Sequence, residues 1–137
     1  MRDLANSISV RRAISPAAAT TDNTPFVSQI IDLSGYERLV FAIMTGSLAD
    51  TDATFTTLVE HGDQANLSDA AAVPDAQLTG SEAAASFTFA HDDQTRKIGY
   101  VGSKRYVRLT VTPANNSGNA FVAAVAILSG SRYRPAA

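Results

Sequence analysis

The sequence predicts an all-β protein: an antiparallel β-sandwich, jelly-roll-like or immunoglobulin-like, with extended N- and C-terminal arms. Three observations carry that prediction. Thr, Val, Ile, Phe and Tyr gather in short runs, as residues that fit a pleated, half-buried surface do. Gly, Pro, Asn, Asp and Ser separate those runs. Residues 104–112 alternate, with Arg105, Val107, Leu109 and Val111 on one side and Lys104, Tyr106, Arg108, Thr110 and Thr112 on the other. That two-residue period marks a half-buried strand with its valines and leucine in the core.

Taken in chain order, residues 1–25 read as an N-terminal arm, because 13–25 are small and polar with two prolines. A sandwich domain follows over 26–130. Its first strand is expected at 26–33, and turn signals at Ser34-Gly35 end it. Leu39 to Met44 is apolar on both sides of a strand, which suits a central strand covered on both faces. A strand at 53–61 leads into a long acidic loop over 62–86, rich in Ala, Asp, Ser, Gly and Gln, with one helical turn expected at 69–72. Strands at 87–90 and 97–101 precede the alternating segment. In 120–128, Phe121, Ala123, Val125 and Ile127 share one side, and Ala120, Val122, Ala124, Ala126 and Leu128 the other. Alanine also permits a helix there, but the Asn-Ser-Gly turn before it and Ser129-Gly130 after it favour a strand. Residues 131–137 read as a C-terminal tail.

Composition bounds the rest. One hundred and thirty-seven residues, 45% hydrophobic and 18% charged, suit one globular domain. The absence of cysteine excludes a disulfide framework, thiolate metal sites and a cysteine nucleophile. No apolar run approaches the ~18 residues that span a bilayer, and the first 20 residues lack the apolar region of a signal peptide. A soluble, cytoplasmically made domain is expected. The net charge of −2 argues against a general nucleic-acid binder. That sum hides a split: no Lys or Arg lies between 39 and 95, a stretch that carries −9, while the flanks carry +7. If folding keeps the two sets apart, the molecule has a dipole; if strand pairing mixes them, it does not.

Catalytic and metal-binding patterns are absent. His61 and His91 are thirty residues apart and lack any zinc-ligand spacing. Asp50-Thr51-Asp52 lacks the glycine and distant glutamate of a calcium loop. No GxSxG elbow or phosphate-cradling GxxxxGK motif occurs, and no tryptophan offers a sugar platform. Neither an enzyme nor a cofactor is expected. The remaining candidates are surfaces for partners. Arg96-Lys97 and Lys104 to Arg108 are expected to form one hairpin around Val101-Gly102-Ser103, bringing five cations together with Tyr100 and Tyr106. The arms add Arg2, Arg11, Arg12, Arg132, Tyr133 and Arg134.

Met1-Arg2-Asp3-Leu4, Ile31 to Tyr36, and above all Ile98-Gly99-Tyr100-Val101-Gly102-Ser103-Lys104-Arg105-Tyr106-Val107-Arg108-Leu109 resemble a group of small tailed-phage and prophage virion proteins. These are encoded beside the major capsid protein and are often head-decorating or cement proteins. The likeness covers the two ends and the second half of the chain, and none of its motifs is catalytic. It implies a virion structural protein that binds the major capsid protein lattice, as a small symmetric oligomer with a trimer favoured, without nucleic-acid or membrane contact. On that reading Arg2, Arg11, Arg12, Arg105, Tyr106, Arg108, Arg132, Tyr133 and Arg134 are the partner-binding residues. Two further roles fit the same sequence: a head–tail connector or tail protein, and a carbohydrate-binding surface module using Tyr36, Tyr100 and Tyr106.

Overall fold

The computed structural model describes residues 3–133. Eleven strands build two antiparallel sheets: β1 (Ile8–Ile14), β2 (Phe26–Val27), β3 (Ile31–Asp32), β4 (Arg38–Leu48), β5 (Thr54–Gly62), β6 (Ala71–Ala72), β7 (Leu78–Thr79), β8 (Phe87–Thr88), β9 (Thr95–Tyr100), β10 (Tyr106–Ala114) and β11 (Ala120–Ser129). One sheet runs β1-β11-β4-β9-β7. The other runs β2-β10-β5-β6, with β3 also on β10 and β8 also on β5. Counting β2 with β3 and β6 with β8 as one broken strand each, and setting aside the two-residue β7 at the edge of the first sheet, gives eight positions, in orders 1-8-3-6 and 2-7-4-5. That is a jelly roll, so the all-β sandwich expectation holds and its jelly-roll form is the one adopted.

The core lies between the sheets. Val107, Leu109 and Val111 of β10 face Phe41 and Ile43 of β4, Ile98 of β9, and Ala124, Ala126 and Leu128 of β11, all nearly free of solvent. The alternation in β10 therefore buries the side the sequence assigned. On β11 the small side is the buried one: its alanines keep the sheets close, and Phe121, Ala123, Val125 and Ile127 point outward.

Four expectations change. Residues 8–14 are not an arm: β1 pairs with β11 from Ile8↔Ser129 to Ile14↔Ala124, and Ala13 and Ile14 are buried. Residues 97–108 are not a hairpin, because β9 belongs to the first sheet and β10 to the second; 101–105 crosses between layers. The helical turn lies at Glu82–Ala85 (α1), where Ser81 Oγ accepts the Ala84 N–H as an N-cap. Ala71–Ala72, expected to be helical, pairs with β5 instead. Finally, β4 is central but covered on one side only.

The 62–86 segment closes one edge of the sandwich. Leu67, Val73, Leu78 and Ala85 are its buried anchors. Where β6 and β8 leave a gap on the edge of β5, α1 supplies the missing partners. Val59 N–H donates to Glu82 Oε1 (2.8 Å), Thr57 N–H to Ser86 Oγ (2.9 Å), and Thr57 Oγ1 to the Ala85 carbonyl (3.1 Å).

Candidate functional site

The predicted cationic residues fall into two groups. Arg105 forms a forked pair with Asp32 (Nε–Oδ1 2.8 Å, Nη2–Oδ2 3.0 Å) and lies 5.1 Å over the Tyr106 ring. That pairing holds the Asp32 carboxyl below its usual range. Arg108 pairs with Glu60 across β10 and β5 (3.0 Å). Arg11 donates to the Asp32 carbonyl (3.0 Å) and stacks over Tyr36 at 5.4 Å. Lys104 pairs with Asp63. These side chains are occupied in fastening the second sheet and the crossover, which mixes part of the charge split.

Arg12, Arg132 and Tyr133 are exposed, Tyr133 by 83%. Arg132 lines a polar depression of about 290 Å³ with Tyr36, Lys104 and Arg105, and its N–H donates to the Gly35 carbonyl (3.2 Å). Arg2 and Arg134 lie outside the described residues. Of the three tyrosines considered for sugar binding, Tyr100 is buried, and Tyr36 and Tyr106 each sit beneath an arginine.

The outer face of the first sheet is the feature that sequence reasoning missed. The alternation of three adjacent strands sends Val10, Val40, Ala42, Met44, Phe121, Ala123, Val125 and Ile127 outward. Val10 and Met44 are each 59% exposed, Phe121 42% and Val125 38%. Register stacks them in rows: Val10–Ile127–Val40, then Val125–Ala42, then Ala123–Met44, with Phe121 over Gly46. A Cβ on Gly46 would come within 3.1 Å of Phe121 Cβ, so glycine lets the ring lie close to the sheet. An apolar depression of about 300 Å³ runs between Pro16, Met44, Ala123 and Val125. At roughly 5 Å per strand and 7 Å per outward residue, the face measures about 20 by 30 Å. Its apolar part spans three of the four strands β1, β11, β4 and β9, about 15 by 30 Å, a size within the range of the largest apolar patch on a monomer, which is often functional. The signal in the sequence was the two-sided apolarity of Leu39 to Met44, which suggested cover on both sides, whereas the chain covers one and leaves Met44 mostly exposed.

Charge marks the same sheet. Its five strands contain Arg11, Arg12, Arg38, Arg96 and Lys97, and not one Asp or Glu. Arg12, Arg38 and Lys97 point outward; Arg96 turns inward and donates to the Ala84 carbonyl (3.0 Å). Arg12 and Lys97 occupy one row, on either side of Val125–Ala42. The pole where β4 ends has the opposite character. Segments 20–24, 49–53, 89–94 and 115–119 meet there through Asn116 on Asn23, Ser117 on Asp50 and Leu48 on Asp92. They hold five aspartates and no Lys or Arg. The charge split thus survives folding at this pole and on the first sheet.

Among the described residues no group of three or more His, Asp or Glu is placed to hold a metal ion. No helix among them is long and apolar enough to cross a membrane.

No protein-family model and no curated protein matches the chain. Solved structures with a similar course include a family two carbohydrate esterase from Cellvibrio japonicus: 7% identity, 96% of this chain and 36% of that one, TM-score 0.43. Another is infectious bursal disease virus, Gx strain: 9% identity, 93% and 34% of the two chains, TM-score 0.44. A third is the CBM22-1 xylan-binding domain of Paenibacillus barcinonensis Xyn10C: 10% identity, 93% and 88%, TM-score 0.44. The chain spans about a third of the length of the first two. At such identities and scores nothing about function carries over; the jelly-roll order rests on this chain's own strand pairing.

Proposed function

We propose that this chain is a phage virion structural protein, a decoration or cement protein that binds and stabilises the major capsid protein lattice. The observation that carries the reading is the outer face of β1, β11, β4 and β9: apolar across its first three strands, paired strand to strand, and without an Asp or Glu in those strands. The resemblance of 98–109 to phage head proteins supports the same reading. A rigid face needs no ordering on docking, so the entropy cost of association is low. Its area, about 600 Å², falls short of the ~800 Å² per partner of a standard interface. The flanking Arg12 and Lys97, and the exposed Arg132 and Tyr133 near the chain end, supply the remainder. Repetition over a lattice, and a trimeric state of the chain, multiply these modest contacts into firm attachment. No bond-making step is assigned to any residue.

The test is quantitative mass spectrometry of purified particles, with reconstruction of the head. A decoration protein appears at roughly hundreds of copies spread over the shell, whereas a connector or tail ring holds about six or twelve. Absence from particles ends the proposal.

A further inference from the structure

We infer that the open sheet face docks a different protein rather than a second copy of this chain, and that the docking surface is apolar and flanked by carboxylates. This rests on the virion reading above and specifies the chemistry of its contact. The argument is one of charge geometry. Arg12 on β1 and Lys97 on β9 lie in a single cross-strand row, with Val125 and Ala42 between them. Three strand spacings separate them, roughly 14 Å. Neither makes an ion pair with a described residue; Arg12 Nη1 donates to Ser15 Oγ, and both side chains are exposed.

Now let two copies pack this face on itself. Sheets stack either nearly aligned or nearly orthogonal. In a two-fold aligned pair centred on Val125–Ala42, Arg12 meets the partner copy's Lys97 or its own equivalent, so like charges oppose each other in a drying interface. In the orthogonal pair one of the two cations lies over the apolar Ile127–Val40 row, buried without a counter-charge, and the other over the Ala123–Met44 row, which Asp93 borders. Both arrangements are disfavoured. A partner with an apolar ridge and a carboxylate on each side, about 14 Å apart, pairs Arg12 and Lys97 at once. Even with Arg38, which also points outward, three cations are too few to hold a nucleic-acid backbone, which needs many phosphate contacts.

The experiment uses particles from cells that carry the gene, in wild-type form and as R12E/K97E, R12K/K97R and V125R. Each variant is first melted alone, to show that these exposed changes leave the fold intact. Carbodiimide, which joins amines to carboxylates in direct contact, is applied to wild-type particles and the products are sequenced. We expect Lys97 coupled to an Asp or Glu of another virion protein. Particle occupancy should fall at least about tenfold for R12E/K97E and V125R, and stay near wild type for R12K/K97R. Coupling of Lys97 to an acid of a second copy overturns the inference, as does unchanged occupancy of R12E/K97E. So does sedimentation of the purified protein with phosphatidylserine vesicles at physiological salt, because it would name a lipid surface instead. Wild-type protein missing from particles is a separate result: it removes the virion reading itself.

Discussion

Tyr100 Oη lies 2.9 Å from His61 Nδ1 and also accepts the Lys104 backbone N–H at 3.0 Å. One buried phenol thus joins β9 of the first sheet to β5 of the second and fixes the crossover between them. With the imidazole hydrogen on Nε2 the phenol donates to Nδ1, and in the other tautomer Nδ1–H donates to the phenol oxygen; either way the contact joins the two rings. The rings meet edge to face, with centroids 5.7 Å apart.

A pH dependence follows. Burial pushes the His61 pKa down, and the Lys104 charge adds to this, against the opposing pull of Asp63 and Asp69. The unfolded chain then binds the extra proton first. Stability is therefore full above about pH 6.5 and declines as pH falls from there toward the depressed folded value. The lowered carboxyls of Asp32, Asp50 and Asp69 lose their share only below about 3.8. Urea midpoints between pH 8 and 5 should fall for the wild type and stay nearly level for His61→Gln. Parallel profiles would refute the assignment.

Gly102 lies against the same phenol. A Cβ there would stand 2.5 Å from Tyr100 Oη and 2.7 Å from Gln77 Oε1. Gly102→Ala is expected to cost about 1–3 kcal/mol by overpacking, with Tyr100→Phe absorbing part of the loss in the double variant. Additive losses in a double-mutant cycle would place the strain elsewhere.

Glu82 acts as a side-chain substitute for a missing strand by accepting the Val59 N–H. Glu82→Gln keeps an acceptor, while Glu82→Ala leaves the amide unpaired and should cost about 1–3 kcal/mol. Amide exchange at Val59, read by NMR, should accelerate in the alanine variant and remain slow in the glutamine one.

Two residues three apart on β4 report its two sides. Phe41 is fully buried and Met44 is mostly exposed. Phe41→Ala should cost about 3–5 kcal/mol in chemical denaturation. Met44→Ala should stay within about 0.5 kcal/mol in the free protein, yet weaken attachment to particles. A large stability loss for Met44→Ala would mean that its side chain is already covered in the free protein.

What the sequence disclosed, and what it did not, divides by range. The β10 alternation and the β11 turn signals are local, so strand positions could be read directly. The crossover at 101–105 misled because Val101-Gly102-Ser103 has the chemistry of a hairpin turn, and only pairing with β4 and β5, forty or more residues away, decides which sheet each strand joins. β1 was hidden because Arg11 and Arg12 interrupt its apolar pattern, one turned to the sandwich edge and the other to solvent. The interaction face was half visible: Leu39 to Met44 announced two buried sides, and the free chain supplies a cover for one.

The antiparallel register that sets Ile8 opposite Ser129 has a practical consequence. The start of β1 and the end of β11, the first and last of the described strands in chain order, reach the same pole, away from the aspartate-rich end. A reporter or epitope spliced before β1 or after β11 would emerge there. Fluorescent labelling or peptide display from that pole would leave the flat side free, giving a choice of two fusion points with one geometry.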